Sequence, residues 1–375
     1  MTDRKTFIEN AIVEIDRNAT ERQREAGKLY LSALSGDIKA KHALQEGIAT
    51  SDIPEVLTPV VNIQFLAQYA EQPIVWNTIV DDTVESVALG KVEFGGFDFD
   101  TSALLGDHDG DTYVGAGLPG VGEYGEYPAV VHTSEELEAE LRKGGVRLRI
   151  SWEALIKLGN FDMIGQATRA FARYAAEQED IALAKQFLST AGVVNTNFTG
   201  VTGNPALTLS AVEAAIQQSS LATVNGRPVN ARNYQLVVPT TLGQTARNLL
   251  SITQVERTVG GDTFTLAPNT GGVSLTEFWA LQSVGNYTTP GTVDDHWFLV
   301  PKGTARPAFV EVFLQGYRQP AIHIKDTGAF TLGGGAVPAR DGSFELDDVE
   351  VKGRHVVGAA VIEPTGVVYS DGSGS

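Results

Sequence analysis

Residues 81–145 carry most of the negative charge of this chain, and they limit what it can fold into. This segment holds fifteen acidic side chains against Lys91, Arg142 and Lys143, a net charge of −12. The whole 375-residue chain has a formal net charge of −18, whereas residues 1–50 are neutral overall. A segment this acidic cannot fold back stably on an acidic body, so we expect it to contact a basic partner.

The two ends of the acidic segment have strand-like patterns, whereas its middle does not. Apolar residues alternate in 84–97 and again in 146–150, which predicts two β-strands. Residues 98–131 between them are rich in Gly, Asp and Tyr and offer little that could nucleate a core. Two interpretations are open, a long hairpin-like loop or a disordered insertion, and loops of this length are usually functional or disordered.

A helical segment and an extended segment precede the acidic region. Apolar residues at helical spacing predict helix over 6–47. Residues 51–76 contain Pro54, Pro59 and Pro73 and an apolar run over 60–69. Proline cannot donate the hydrogen bonds of a strand ladder, so this segment is predicted to be an extended arm lying on another surface.

The longest predicted helix follows the acidic segment, over 160–190, where apolar residues fall at spacings of three and four with no internal proline. Beyond it, helix and strand alternate. The predicted helices are 211–221, capped by Ser210, and 241–250, and the predicted strands are 234–238, 273–284 and 297–300. The last region is predicted to be nearly all strand, over 308–313, 321–325, 344–351 and 355–362, with glycine turns at 333–335 and 342.

Composition excludes several function classes. The chain has no cysteine, so disulfides, thiolate catalysis and cysteine-ligated metals are excluded. Its net charge of −18 argues against a primary nucleic-acid reader, because phosphate binding requires clustered Lys and Arg. No stretch approaches the roughly 18 apolar residues of a membrane span, so we expect no membrane partner.

Motifs that would indicate an enzyme are incomplete. Asp107–Asp111 resembles the start of a calcium loop, but Thr112 and Leu118 stand where an EF-hand needs Gly and Glu, which favours a solvated loop tip. Residues 115–125 are glycine-rich but lack the following Gly-Lys-Ser/Thr of a phosphate loop. Residues 294–296, Asp-Asp-His, are more typical of a turn than of acid–base machinery. We therefore predict no catalytic residue, no cofactor and no metal.

The order of the segments resembles the major capsid proteins of tailed bacteriophages, which have the Hong Kong ninety-seven fold. Four stretches carry the resemblance, which covers roughly residues 50–370. They are the arm 57–61 (LTPVV), the helix 161–188, the strand-to-helix passage 236–241 (LVVPTT) and the ending 351–361 (VKGRHVVGAAV). Each stretch is weak evidence alone, and their order and spacing carry the resemblance.

The resemblance implies an α+β fold with an N-arm, an extended E-loop, a peripheral domain built on a long spine helix and long β-strands, and an axial α/β domain. Its implied boundaries are an N-terminal helical segment 1–50, the N-arm 51–77, the E-loop and its strands 78–150, the spine-helix region 151–203, the axial domain 204–300, the peripheral strands 301–369 and a tail 370–375.

The function implied by the resemblance is that of a non-enzymatic, self-assembling structural protein. Pentamers and hexamers would close an icosahedral shell around double-stranded DNA, without sequence-specific binding. The implied partners are copies of the chain itself, a portal protein, a scaffolding protein and a cement or decoration protein, and the implied location is the virion, after assembly in the host cytoplasm. No lysine lies between Val92 and Arg142, so an isopeptide crosslink from an E-loop lysine is not expected. Residues 1–50 are short for a cleaved scaffolding segment, so we expect them to be retained.

Charge suggests how copies would hold together. We expect the acidic loop of one subunit to lie across the basic stretch 142–173 of its neighbour. The predicted contact residues are Asp98, Asp100, Glu123, Glu126, Glu135, Glu136, Arg142, Arg147, Arg149, Arg169 and Arg173. The alternative for the loop is a solvated acidic segment without a partner. The alternatives for the protein are an encapsulin-type compartment and an acidic β-rich hydrolase.

Overall fold

The computed structural model describes most of the chain from residue 65 onward. The described residues are 65–99, 107–108, 111–112, 132–151, 162–224, 227–229, 231–259, 262–304, 306–325 and 348–374. The predicted N-terminal helix, the first part of the predicted arm, most of the acidic loop and the glycine turns at 333–335 and 342 lie outside them.

The described elements mix helices and strands, so the predicted α+β class is confirmed. Residues 65–71 are helical. The further helices are α1 (Trp76–Ile79), α2 (Asp162–Phe187), α3 (Leu209–Leu221), α4 (Gly243–Leu250) and α5 (Trp279–Gly285), with a 3-10 turn at Thr240–Leu242. The strands up to β9 are β1 (Asp82–Ser86), β2 (Gly90–Phe99), β3 (Asp107–His108), β4 (Asp111–Thr112), β5 (His132–Ser151), β6 (Thr199–Gly200), β7 (Thr223–Val224), β8 (Arg227–Pro228) and β9 (Asn233–Val238). The later strands are β10 (Val255–Val259), β11 (Asp262–Leu266), β12 (Val273–Glu277), β13 (Trp297–Lys302), β14 (Phe309–Leu314), β15 (Ala321–Ile324), β16 (Asp348–Val361) and β17 (Val368–Ser370).

The chain divides into two compact units. Unit 1 takes the described residues up to 74, from 142 to 178 and from 314 to 357. Unit 2 takes residues 75–141, 179–313 and 358 onward. The long helix α2 and the long strands β5 and β16 therefore each contribute residues to both units.

Unit 2 is built on a five-stranded sheet in the order β12-β9-β13-β17-β6, with β9 parallel to β12 and antiparallel to β13. One face of β9 and β13 packs into a cluster with α3 and α4, through residues such as Leu236 and Trp297. Phe298, one position along, points to the other face, where it meets Phe187 at a ring distance of 5.0 Å. Both faces of the sheet are thus covered, which is why β9 and β13 read as continuous apolar runs.

Two other strands of unit 2 form the root of the acidic segment. β2 pairs antiparallel with the first half of β5, from Gly90 opposite Leu141 to Phe99 opposite His132. Strand is confirmed at both predicted ends of the acidic segment, with two differences. Residues 87–89 separate the first predicted strand into β1 and β2, and residues 146–150 of the second pair with β16, whereas β2 pairs with residues 132–141 nearer the loop.

Unit 1 packs α2 and the helical residues 65–71 on an antiparallel sheet of β15, β16 and the second half of β5. Phe65, Leu66 and Tyr69 are buried in a cluster with Phe171 and Val351. Gly353 of β16 faces Phe171, and a Cβ atom at this position would lie 3.0 Å from the ring. Glycine there allows the helix to approach the sheet closely.

Four other sequence-based assignments were wrong in detail. Residues 65–71 of the predicted extended arm are helical, since Phe65, Leu66 and Tyr69 pack at spacings of one and three into unit 1. The predicted strand 273–284 ends at Glu277 and continues as α5, where Ala280, Leu281 and Val284 are buried at helical spacing.

The other two corrections concern a turn and a cap. The strands predicted at 344–351 and 355–362 are one strand, β16, because residues 351–354 pair with both β5 and β15 and so leave no room for a turn. The N-cap of α3 is Thr208, not Ser210, since the Thr208 side chain accepts the hydrogen bond from the Ala211 N–H.

Candidate intersubunit surface

The predicted acidic contact residues are only partly described. Asp98 lies in β2 opposite Thr133, and Glu135 and Glu136 lie in β5 opposite Gly96 and Gly95. Asp100, Glu123 and Glu126 lie outside the described residues. The structure therefore places half of the predicted acidic contacts on the β2–β5 ribbon, in unit 2.

All five predicted basic contact residues belong to unit 1 and are exposed. Arg142, Arg147 and Arg149 lie on β5, and Arg169 and Arg173 lie on α2. Because side chains alternate along a strand, Arg147 and Arg149 share one face of β5, whereas Arg142 has the opposite parity. The structure thus brings the basic residues together in one unit, on two different elements.

Arg147 and Arg149 face charged residues of the neighbouring strands. The register places Arg149 opposite Glu350, and Arg147 opposite Lys352, which in turn lies opposite His323 of β15. We call this side of the sheet the charged face of unit 1, and it consists of Arg147, Arg149, His323, Lys325, Asp348, Glu350 and Lys352.

Ion pairs tie the charged face together. Nε of Arg149 lies 2.6 Å from Oδ2 of Asp348 and 3.0 Å from Oε1 of Glu350. Lys325 and Arg147 approach the other oxygen of Glu350, at 3.3 and 3.8 Å. The buried carboxylate of Glu350 is therefore neutralised by three cations whose own side chains are about half exposed.

The charged face keeps an excess of positive charge. Its four Lys and Arg side chains face two carboxylates, in a chain whose overall charge is −18. The pKa of His323 is lowered by its partial burial and by the cations Arg354 and Lys352. The cations on and beside this face therefore disfavour the protonated form of His323.

The two arginines of α2 have different surroundings from those of β5. Arg173 pairs with Glu177 one turn on, at 3.3 Å, and its guanidinium lies 5.0 Å from the centre of the Tyr174 ring. Arg169 is exposed on the same helix. Exposed pairs of this kind contribute little to stability, so these side chains can exchange partners at low cost.

An apolar cleft of about 90 Å³ lies in unit 1 between α2 and the sheet. Phe171 and Tyr174 of the helix line one side, and Val146 and Gly353 of the strands line the other. Val146 and Tyr174 are each 50% exposed. Basic and exposed apolar side chains therefore occur together in unit 1.

Sequence reasoning missed the acidic and lysine members of the charged face. Asp348, Glu350 and Lys352 alternate along β16 as Arg147 and Arg149 do along β5. Cross-strand pairing is indicated by alternating cations on β5 and by the alternating acids Asp348 and Glu350 on β16, but only the register shows which residues meet.

The residues considered for chemistry have structural contacts. Asp294 Oδ1 accepts hydrogen bonds from the side chains of Gln282 and Asn286, at 2.9 and 3.0 Å. His296 is buried, and burial lowers its pKa despite the nearby Asp371 and Asp295. Within the described residues, no group of three or more His, Cys, Asp or Glu side chains is arranged to hold a metal ion. The described helices include none that is both long and apolar enough to cross a bilayer.

Comparison with known proteins places these features in a family. A sequence model described as "Phage capsid protein" matches residues 134–370, which include every described element from α2 to β17 and nearly all of β5. No curated protein matches the chain.

Solved structures with similar chains have low sequence identity. A chain of Mycobacterium phage Bobi is 11% identical with a TM-score of 0.43, and the match covers 79% of this chain and 90% of that one. For the capsid of Myoviridae phage XM1 the values are 13%, 0.45, 77% and 88%. For the SrpI encapsulin complex of Synechococcus elongatus they are 10%, 0.44, 79% and 86%. Because these scores are low, the family assignment rests on the sequence match over 134–370.

Proposed function

Because the chain belongs to the phage capsid protein family and its location is the virion capsid, we propose that it is the major capsid protein of a tailed bacteriophage and assembles as pentamers and hexamers into an icosahedral shell. The shell encloses double-stranded DNA without sequence-specific contacts. The family match over residues 134–370 is the observation that carries this proposal.

The charge distribution supports self-assembly. Residues 81–145 have a net charge of −12, whereas the charged face of unit 1 has an excess of cations. Two copies are therefore complementary in charge, with the acidic ribbon and loop of one subunit on the basic stretch 142–173 of the next. The residues of this contact are those predicted from the sequence, and the charged face adds Lys325 and Lys352.

Arg147 and Arg149 already pair with carboxylates of their own chain, and this fits an intersubunit role. A guanidinium has five N–H donors, so an arginine bound to one carboxylate keeps donors for another. Each exposed pair contributes only about 0–1 kcal/mol, but the contact repeats at every subunit of a shell. Portal, scaffolding and cement proteins are further partners in this proposal.

Charge reversal on α2 tests the proposed contact. Arg169→Glu with Arg173→Glu changes the charge by −4 on the exposed surface of α2. Lys185→Glu with Arg232→Glu makes the same change at exposed positions of unit 2 and serves as the matched control. Sedimentation and negative-stain imaging of the full chain should show shells or capsomers for the wild type and the control, and small species for the α2 variant.

The outcomes separate the alternatives. Equal assembly of both variants would refute the contact and favour a solvated acidic loop. A wild-type chain that sediments only as a small oligomer would contradict the shell and favour a hydrolase. Particles from phage-producing cells that hold protein cargo in place of nuclease-resistant DNA would favour an encapsulin-type compartment.

A further inference from the structure

Three carboxylates meet in the interior of unit 2. Glu179 and Asp180 are consecutive residues of α2, and Glu311 lies at the centre of β14. Glu179 and Glu311 are 0% exposed and Asp180 is 1% exposed. We call these residues the acid cluster. Acidic side chains are almost never fully buried unless they are paired, so the cluster requires a physical account.

Two members of the acid cluster hold the start of α1. Asp180 Oδ1 accepts hydrogen bonds from the backbone N–H groups of Val75 and Trp76, at 3.0 and 2.9 Å. Glu179 Oε2 accepts from the indole N–H of Trp76 at 2.9 Å, and Asp180 Oδ2 accepts from that of Trp279 at 3.0 Å. The residue preceding α1, Val75, makes no capping hydrogen bond with its side chain, so the distant Asp180 carboxylate satisfies two free N–H groups at the start of this helix.

Glu311 is in the opposite situation. Neither of its carboxyl oxygens has a hydrogen-bond partner within the described structure. Burial raises its pKa well above the usual value, and the charges of Glu179 and Asp180 raise it further. Burial also raises the pKa of Asp180, to about 6, although its three N–H donors act in the other direction. Asp180 is thus equipped to be an anion, and Glu311 is equipped to carry a proton.

Within the described residues, no cation is among the charges that act on Glu311, and Lys185 of α2, whose Phe187 stacks on Phe309 of β14, is exposed. β14 lies between β1 and β16 in its sheet. β1 carries Asp82 and Glu85, both exposed, and residues 358–361 of β16 are uncharged, as is α1. The charges that act on Glu311 are therefore those of Glu179 and Asp180.

We propose that the acid cluster is a proton-operated latch on α1, the segment that leads through β1 into the β2–β5 ribbon. While Glu311 holds its proton, Glu179 and Asp180 bind Trp76 and Val75 and fix α1. When Glu311 releases this proton to solvent, a third buried negative charge lies beside the other two. Repulsion and hydration of the three carboxylates then open the cluster and free the start of α1.

The latch acts at the root of β1 and β2. α1 ends at Ile79, and Lys302 binds the Ile79 carbonyl at 2.8 Å and the Asp81 carboxylate at 2.6 Å just before β1 begins. Opening the acid cluster therefore releases the start of α1, whereas the bonds from Lys302 to Ile79 and Asp81 beyond its end remain. This inference concerns a single subunit and does not rest on the proposed function.

Hydrogen exchange of the full, unassembled chain tests the latch. After correction for intrinsic exchange, protection of the Val75 and Trp76 amides should fall at least tenfold from pH 6 to pH 8.5. Glu311→Gln, which keeps the shape and removes the titration, should hold both amides protected at both pH values. Glu311→Leu, a second neutral variant, should behave in the same way. Residues 234–238 of β9 are an internal reference whose protection should not change.

A matched control and two outcomes decide the proposal. Glu350→Gln removes a buried carboxylate that is paired with cations, so this variant should keep the wild-type pH response. Equal protection of Val75 and Trp76 at both pH values in the wild type would overturn the latch. The same loss of protection in wild type and in both Glu311 variants would overturn it as well.

Discussion

Glu350 of unit 1 and Glu311 of unit 2 are both buried glutamates on β-strands, with 7% and 0% exposure, and the two units accommodate them in opposite ways. Glu350 lies 3.0 Å from Arg149 and 3.3 Å from Lys325. Glu311 has no partner for either oxygen within the described structure, and Glu179 and Asp180 act on it instead.

The difference shows two solutions to one energetic problem. Moving a carboxylate out of water costs several kcal/mol unless a cation or several hydrogen bonds replace the water. At Glu350 half-exposed cations reach inward from the charged face and supply that replacement. At Glu311 the group avoids the cost by keeping its proton, which makes this region of unit 2 sensitive to pH.

The largest effect is expected for Asp180→Ala. The substitution leaves three N–H donors without their acceptor, a buried one of Trp76 and part-buried ones of Val75 and Trp279. We expect the free energy of unfolding to fall by about 4 kcal/mol, because each unsatisfied donor costs about 1–3 kcal/mol and relief of repulsion offsets part of this. Urea unfolding of the unassembled chain measures it. Trp279→Phe removes one donor and should cost about 1 kcal/mol; equal stability of Asp180→Ala and wild type would contradict the assigned bonds.

The pH dependence of stability gives the next effect. The pKa of Asp180 is raised to about 6 in the folded chain, so the folded state binds this proton more tightly than the unfolded state does. Its contribution to stability is complete below about pH 4 and is lost as the pH rises to about 6. The unfolding free energy of wild type relative to Asp180→Asn should fall by about 3 kcal/mol over this range. A constant difference between the two chains would be inconsistent with the raised pKa.

Neutralising each buried glutamate should change stability in opposite directions at pH 8. Glu311→Gln should stabilise the chain, because it removes a carboxyl group whose folded-state pKa is raised by burial and by the charges of Glu179 and Asp180. Glu350→Gln should destabilise it by about 2 kcal/mol, because Arg149 and Lys325 lose a buried counter-charge. The two denaturation midpoints measure this directly. Shifts of the same sign would remove the contrast between the regions.

The smallest effect separates the two arginines of the charged face. Arg149→Met should cost about 1 kcal/mol, since Nε of Arg149 is close to both Asp348 and Glu350. Arg147→Met should cost less than about 0.5 kcal/mol, because its only described contact with Glu350 is 3.8 Å long. The difference between these two costs, measured by unfolding, should be smaller at 1 M NaCl than at low salt, because screening weakens exposed pairs. A larger loss for Arg147→Met would contradict this ranking.

Much of the fold could be read from local patterns. The apolar repeat predicted the long helix, which runs over Asp162–Phe187, and continuous apolar runs predicted β9 and β13. The failures arise where packing overrides the local pattern. Val273–Val284 is apolar enough for one strand, yet its second half folds as α5 because Ala280, Leu281 and Val284 bury one helical face.

The candidate sites were only half predictable. The basic residues Arg147 and Arg149 were chosen from composition, whereas their partners Asp348 and Glu350 lie about 200 positions away and required the β5–β16 register. Glu311 alternates with Val310 and Val312, a pattern typical of a strand with one solvent-facing side. Both sides of that strand are buried, and no local pattern contains this information.

Sequence alone determined the α+β class, the membership in the phage capsid family and the acidic segment, since order, periodicity and charge are properties of the chain itself. Tertiary structure alone decided which carboxylates lie beside cations and which lie beside one another. The charge state of a buried carboxyl group depends on what packs against it from distant parts of the chain, and that is set only when Glu179, Asp180 and Glu311 come together in the folded unit.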